Sequence, residues 1–283
     1  MSPDNFTVLE IGSGSFKLFR EGHFNERYES SLGRGLSPDG ALASDSISIS
    51  LSNLKDNIIP FLKTQGIKLE DVLVFATAAI RRAVNDPNKS GQKFIKALED
   101  LGFNGIRVFS EKEEAVYASM GALEDHPEIR NVGILDTGGA SHQLTEVKDG
   151  KILKTVSVPL GSHSDLDAAE RPDFIKMGFS PQRTLVTIGT TGKILNSVPN
   201  VNLEQLLEIE KSMQLMTIEE RKEHLRKLIP NKDIHKLFVD YRIAILSNSF
   251  KIIINAAQNL GTKEFLPSKQ AAKNFISKHG FCL

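Results

Sequence analysis

Two segments of the chain, 126 residues apart, share one local pattern, and this repeat limits the available folds more than any other feature. The first is Val8-Leu9-Glu10-Ile11-Gly12-Ser13-Gly14-Ser15, and the second is Ile134-Leu135-Asp136-Thr137-Gly138-Gly139-Ala140-Ser141. In each, an acid ends an apolar strand, a glycine stands two residues on, and a serine three beyond that. Each hairpin later closes on a Leu-Gly pair, Leu32-Gly33 and Leu160-Gly161. A period near half of the 283 residues points to duplication of one α/β unit. The sequence therefore predicts two domains of like topology, 1–117 and 118–283, joined near the helix that begins at Ser110. The length suits two domains of about 100–150 residues each.

Hydrophobic spacing supplies the elements. Phe6 to Ile11 predicts a strand, Phe16 to Arg20 its returning partner, and Arg27 to Leu32 a third strand. Ile47, Leu51, Leu54, Ile58 and Phe61 recur at helical spacing. The first of them also alternate like a strand, and the continuing period decides for a helix. Val72 to Ala76 predicts a buried strand, and Phe94, Ile95, Leu98 and Leu101 predict an amphipathic helix closed by Gly102. Arg107 to Phe109 predicts a further strand. Ser110 and Glu113 fit a capping box, opening a helix with a small face of Ala115, Ala118, Ser119 and Ala122. Strands follow over Val132 to Leu135, Leu144 to Lys148 and Ile152 to Val158, the last two joined by Asp149-Gly150. Asn202 to Leu260 predicts mainly helix, with Leu237, Tyr241, Ala244, Ile245 and Phe250 along one long helix.

The chemistry of the two glycine turns suits phosphate. Glycine admits close backbone approach and positive φ. Successive N–H groups in such a turn form an anion nest, and serine hydroxyls add donors. An acid beside phosphate would be repelled unless it held a divalent cation, usually through water. Two such hairpins facing each other would clamp a phosphate chain. Either one alone reads equally as an ordinary tight hairpin.

Bulk composition removes other classes. Lys+Arg and Asp+Glu are 35 each, so the chain lacks the basic excess of a nucleic-acid binder. The single cysteine, Cys282, cannot form an internal disulfide. The first residues carry no basic-then-apolar leader, and no apolar run approaches the ~20 residues of a membrane helix. The expectation is a cytoplasmic protein with no nucleic-acid and no membrane partner.

Five motifs in order carry a family resemblance. They are Glu10 to Ser15; Ala76-Thr77-Ala78-Ala79-Ile80-Arg81-Arg82-Ala83-Val84-Asn85; Phe109-Ser110-Glu111-Lys112-Glu113-Glu114-Ala115; Asp136 to Ser141; and Gly189-Thr190-Thr191-Gly192-Lys193. From Val8 to Ile194 the chain resembles the exopolyphosphatase/guanosine pentaphosphate phosphohydrolase (Ppx/GppA) family. The resemblance implies the actin-like ATPase fold, two RNase H-like domains with an interdomain cleft, and removal of a terminal phosphate assisted by Mg²⁺ or Mn²⁺. It implies polyphosphate or guanosine penta- or tetraphosphate as partners, with a homodimer as one oligomeric option.

Residue roles follow from the resemblance. Glu114 matches the general base; on residues alone it reads as a first-turn acid favoured by the helix dipole. Glu113 has the capping task instead. Arg81 matches an arginine that holds phosphate oxygens, with Arg82 beside it a surface residue. Phosphate-binding residues would be Gly12, Ser13, Gly14, Ser15, Gly138, Gly139, Ala140 and Ser141. Gly189, Thr190 and Thr191 would add donors at a helix start, or form a plain strand–helix turn. Glu10 and Asp136 would position the metal. His142 and His163 read as non-catalytic, and no histidine stands at zinc-ligand spacing.

The chain departs from the family pattern at several points. Glu10 replaces aspartate, Gly14 asparagine, Ala140 glycine, His142 threonine and Gln143 an acid. Ser268-Lys269-Gln270-Ala271-Ala272-Lys273 stands where a glycine- and arginine-containing helix start is usual. The leading expectation is a phosphoanhydride hydrolase. The alternative is a family member without turnover that senses pppGpp, ppGpp or polyphosphate, favoured by Gly14, Ala140 and Gln143. A sugar-kinase-like or chaperone-like ATPase is disfavoured by the Glu-Glu-Ala helix and the lack of large insertions.

Overall fold

The computed structural model describes residues 5–139, 141–161, 171–198, 201–230, 232–235, 238, 240–268 and 270–283. Two compact units result: residues 1–117 with 272–283, and residues 118–271.

In the first unit the strands are β1 (Val8–Ile11), β2 (Ser15–Arg20), β3 (Phe24–Glu29), β4 (Leu73–Ala76) and β5 (Arg107–Val108). They form one sheet in the order β3-β2-β1-β4-β5. β1 is antiparallel to β2 and parallel to β4. The central β1 is buried at every position, whereas the edge strand β3 is largely exposed and carries Glu26 and Arg27, which discourage edge pairing. Helices α1 (Ser44–Asn53) and α2 (Ile59–Thr64) are joined by a π-helical turn over Leu54–Ile58. Pro60, with no N–H to donate, stands two residues beyond that turn, in the first turn of α2. α3 (Ala78–Ala83) and α4 (Ser90–Asp100) follow, and Gly102 ends the second at φ 108°. The core gathers Leu9, Ile11, Phe16, Leu18, Val74, Ile80, Phe94 and Leu98.

α5 (Glu111–Asp125) opens in the first unit and ends in the second. Its small face is buried, and at Gly121 a Cβ would lie 2.5 Å from the Ala271 carbonyl oxygen. The second unit then repeats the first. β6 (Val132–Thr137), β7 (His142–Lys148), β8 (Lys151–Val158), β9 (Thr184–Ile188) and β10 (Glu264–Pro267) form a sheet in the order β10-β9-β6-β7-β8. β6 is antiparallel to β7 and parallel to β9, as β1 is to β2 and β4. The turn between β7 and β8 is Asp149-Gly150, both at positive φ. α6 (Gly189–Asn196) follows β9 just as α3 follows β4. α7 (Leu203–Gln214), α8 (Ile218–Leu228), α9 (Lys232–His235) and α10 (Asp240–Leu260) supply the helical layer. Leu206, Met213, Leu225, Phe250 and Ile253 of that layer close the core against Leu135, Leu144 and Leu185. Leu237 and the side chains of Tyr241 and Ile245 lie outside the described residues.

The chain ends with α11 (Ala272–His279), which returns to the first unit and packs on β1 and β2. This differs from the division by sequence, which assigns 272–283 to the second domain. Ile276 is fully buried, and Ser277 Oγ donates to Phe6 O (2.7 Å) and accepts from Glu21 N (3.0 Å). Two strand expectations also shift. The predicted strand Arg27 to Leu32 is β3, three residues earlier, because Gly22 at φ 75° turns the chain back sooner. β10 has no counterpart among the expected strands: four residues ending in Pro267 give little signal, and β10 is held by parallel pairing with β9.

Among the described residues, no helix is long and apolar enough to cross a membrane.

Candidate functional site

Both glycine turns are built alike. Gly12 N donates to Ser15 O (3.0 Å), and Gly138 N donates to Ser141 O (2.9 Å). A Cβ at Gly12 would meet Ser15 O at 3.0 Å, and one at Gly138 would meet Ser141 O at 2.9 Å. These glycines are needed for close approach. The positive φ expected of them is absent: Gly12, Gly14 and Gly138 all lie outside the left-handed region. The Gly12 and Gly138 N–H groups close the hairpins, so the first glycine of each turn is no nest donor. Among the described residues, no protein acceptor meets the N–H of Ser13, Gly14 or Gly139, which leaves these donors open. Ala140 lies outside the described residues.

The Leu-Gly pairs brace the turns. Ser30 Oγ donates to Gly12 O (2.6 Å) and Gly33 N to Ser13 O (2.6 Å), with Leu32 fully buried. In the second unit His142 takes that part, its Nδ1 bonded to Leu160 O (2.5 Å). His142 is 2% exposed, and burial holds its pKa below the usual value. His163 lies outside the described residues.

The helix starts adjoin the turns. Thr77, just before α3, donates its N–H to Ile11 O (3.1 Å), which sets Arg81 in the same helix. In the second unit Gly189, at φ 89°, opens α6 beside Asp136: a Cβ there would lie 3.6 Å from Asp136 Oδ1. Asp136, the second turn and the α6 start therefore form one place. The side chains of Thr190 and Thr191 lie outside the described residues.

Glu113 and Glu114 are separated by their partners. Glu113 forms the expected capping box, accepting from Ser110 N (2.9 Å) while Ser110 Oγ accepts from Glu113 N (3.2 Å). It also pairs with Arg107 (2.8 Å). The Ser110 N–H above all, with the Ser110 hydroxyl and Arg107, holds its carboxyl below the ordinary value, against an upward push from burial. Glu114 accepts from Arg81 Nη1 (2.7 Å), which also donates to Phe109 O (3.0 Å). Its side chain is 20% exposed, so it is not the solvated acid that its position alone suggests. Burial raises its pKa; Arg81 and Lys17 oppose this, and Glu10 adds to it. Arg81 is thus engaged with Glu114, while Arg82 is exposed as expected.

Glu10 and Lys17, which no sequence motif pairs, face each other across β1 and β2 and form an ion pair. The equivalent positions in the second unit are Asp136 and Gln143, also in register. Gln143 is buried and donates to Ser141 Oγ (3.0 Å) and Ser157 Oγ (3.4 Å). The shared seven-residue offset from acid to partner is the signal in the sequence that could have found Lys17. Among the described residues no group of three or more His, Cys, Asp and Glu could enclose a metal. Mg²⁺ needs no such cage, since one or two carboxylates with water and phosphate oxygens suffice. Asp136, with a glycine Cα at its α6 side, fits that mode. Glu10 does not, because an ammonium already occupies its carboxylate.

A model of the Ppx/GppA phosphatase family matches residues 8–167. No curated protein matches the chain. Among solved structures, the chain is similar to the Ppx/GppA family member of Aquifex aeolicus, at 18% identity over 96% of this chain and 95% of that one, with a TM-score of 0.73. It is also similar to an exopolyphosphatase from Cytophaga hutchinsonii, at 17% identity over 96% of each chain, with a TM-score of 0.75. These likenesses are of fold. Two mixed-sheet α/β domains of matching strand order make this the actin-like ATPase fold, built from RNase H-like units.

Proposed function

Since the chain belongs to the Ppx/GppA phosphatase family, we propose that it hydrolyses the terminal phosphoanhydride of inorganic polyphosphate or pppGpp. The observation that carries this reading is Glu114: a partly buried carboxyl with a raised pKa, held by Arg81 in the unit of the first glycine turn. A base whose pKa is lifted toward neutrality suits proton removal from water. The water oxygen bonds to the terminal phosphorus as the bond to the bridging oxygen breaks. The electron pair leaves with the penultimate phosphate, and the water proton passes to Glu114. Arg81 balances charge on the transferring group, and the open N–H groups of Ser13 and Gly14, in the same unit, hold phosphate oxygens. Mg²⁺ or Mn²⁺, when bound, supplies further charge neutralisation, and Asp136 is the residue that would hold it.

The neutral, hydrogen-bonded Gln143 at an acid's usual place favours a second reading, a sensor that binds such chains without turnover. One experiment separates the two. Phosphate release is measured with polyphosphate, pppGpp and ATP, with Mg²⁺ and in excess chelator, beside binding of each. The hydrolase reading expects metal-dependent release, lowered about 10²–10⁴-fold in Glu114→Gln with binding retained. Asp136→Asn should also lower it strongly. Binding without release by the wild type gives the sensor instead. Full activity in chelator removes the metal role.

A further inference from the structure

Phe109 stands between β5 and the capping serine of α5, so its place fixes where the first turn of that helix lies. Its N–H donates to Ala76 O (2.9 Å) at the end of β4, and its carbonyl accepts from Arg81 Nη1 (3.0 Å). The ring is stacked between Phe75, with centroids 4.6 Å apart, and Tyr117, at 5.0 Å. Phe281 meets the same ring edge-on at 5.8 Å. Stacked and edge-on pairs of this kind hold each other beyond the area they bury.

The segment 281–283 is itself held from two sides. Tyr117 is fully buried, and its hydroxyl oxygen accepts from the N–H groups of Cys282 and Leu283, both at 3.0 Å. Arg107 lies over the Phe281 ring, 4.8 Å from its centroid, and donates to Leu283 O through both Nη atoms (3.3 Å each). The same guanidinium holds Glu113 (2.8 Å). Arg81 serves Glu114 (2.7 Å), and Glu111 Oε1 stands 3.8 Å from its other Nη on a half-exposed side chain. The three carboxylates in the first turn of α5 are thus shared between two arginines. The segment touches one of these arginines directly and meets the other through the Phe109 carbonyl. Without the segment, the buried Tyr117 hydroxyl would lose both donors and one edge of the Phe109 ring would open.

We infer that residues 281–283 form a clasp that positions the Arg81–Glu114 pair, with Phe281 and Tyr117 as its positioning residues. This deepens the hydrolase reading above and rests on it for the catalytic consequence. Both residues act through Phe109, whose carbonyl is the second acceptor of Arg81 Nη1.

The test follows the Arg81 guanidinium protons of the full chain by NMR, identified by their loss in Arg81→Lys, and measures their exchange with water. Phe281→Ala should speed that exchange about tenfold or more, and Phe281→Tyr should keep it within about threefold of the wild type. Ile58→Val trims a fully buried side chain elsewhere in the same unit; it controls for lost stability and should leave the exchange unchanged. In phosphate release, Phe281→Ala should lower kcat about 10–100-fold with KM within about twofold, and Phe281→Tyr should restore it. Circular dichroism checks folding, and Tyr117→Phe replaces Phe281→Ala if the latter does not fold. The inference is overturned by unchanged exchange in the folded variant, by equal acceleration in Ile58→Val, by no rescue in Phe281→Tyr, or by wild-type kcat in Phe281→Ala. An absence of phosphate release from every substrate defeats the hydrolase reading instead, and the exchange rates still decide the clasp.

Discussion

Glu113 and Glu114 are neighbours in sequence and opposites in electrostatics. The capping hydrogen bond from Ser110 leads the forces that depress the Glu113 carboxyl below its usual 4.5. Its stabilisation is therefore present above that range and is lost as pH falls through the depressed folded value. Thermal melts of the wild type should show this acid loss, and those of Glu113→Gln should show less of it. Glu114 moves the other way, raised above 4.5 chiefly by burial. A base acts when deprotonated, so the acid limb of kcat/KM should lie above the ordinary glutamate range. A limb at or below that range would remove Glu114 from the role. At this scale the sequence is informative where chemistry follows spacing: Ser110 and Glu113, three apart, announce the cap and leave Glu114 for other work. It is silent where chemistry follows strand register, as in the pairing of Lys17 with Glu10, and nothing in it foretells that Arg81 holds Glu114.

The hairpin turn is built alike in both units. Its first glycine is needed because a side chain would crowd the carbonyl three residues on, at 3.0 Å in one copy and 2.9 Å in the other. Gly12→Ala and Gly138→Ala should each cost about 1–3 kcal/mol and weaken phosphate-chain binding, by similar amounts. At Gly14 a Cβ would meet nothing within 4 Å, and φ is not positive, so Gly14→Ala should stay within about 0.5 kcal/mol. Denaturant titration of the three variants checks the contrast, and a severe loss at Gly14 would contradict it. The repeat makes the turns legible, along with the central strands and the amphipathic helices. The reason for the glycines is not legible in the same way, because composition alone cannot tell positive φ from close approach. β10 escapes for another reason: a short strand held by its parallel neighbour has no pattern of its own.

At the scale of the whole molecule the duplication is not a simple tandem. α11, coded after the second unit, packs on the first sheet and seats Ile276 in a fully buried position. Burying such a side chain is worth about 1.5–3 kcal/mol. Tyr117 OH also accepts from the N–H groups of Cys282 and Leu283, both at 3.0 Å. Removing residues 272–283 should therefore destabilise β1 and β2, at the far end of the sequence, more than β6 and β9. Amide hydrogen exchange read by mass spectrometry would locate the loss, and equal loss in both sheets would argue against this division. The same connection sets an order of events on the ribosome. The first unit is synthesised ahead of the second, yet its sheet stays without its closing helix until the second unit has left the exit tunnel. Until α11 is made, the apolar faces of β1 and β2 have only chaperones or solvent where it will lie. The nascent chain is exposed to aggregation at that face until α11 emerges.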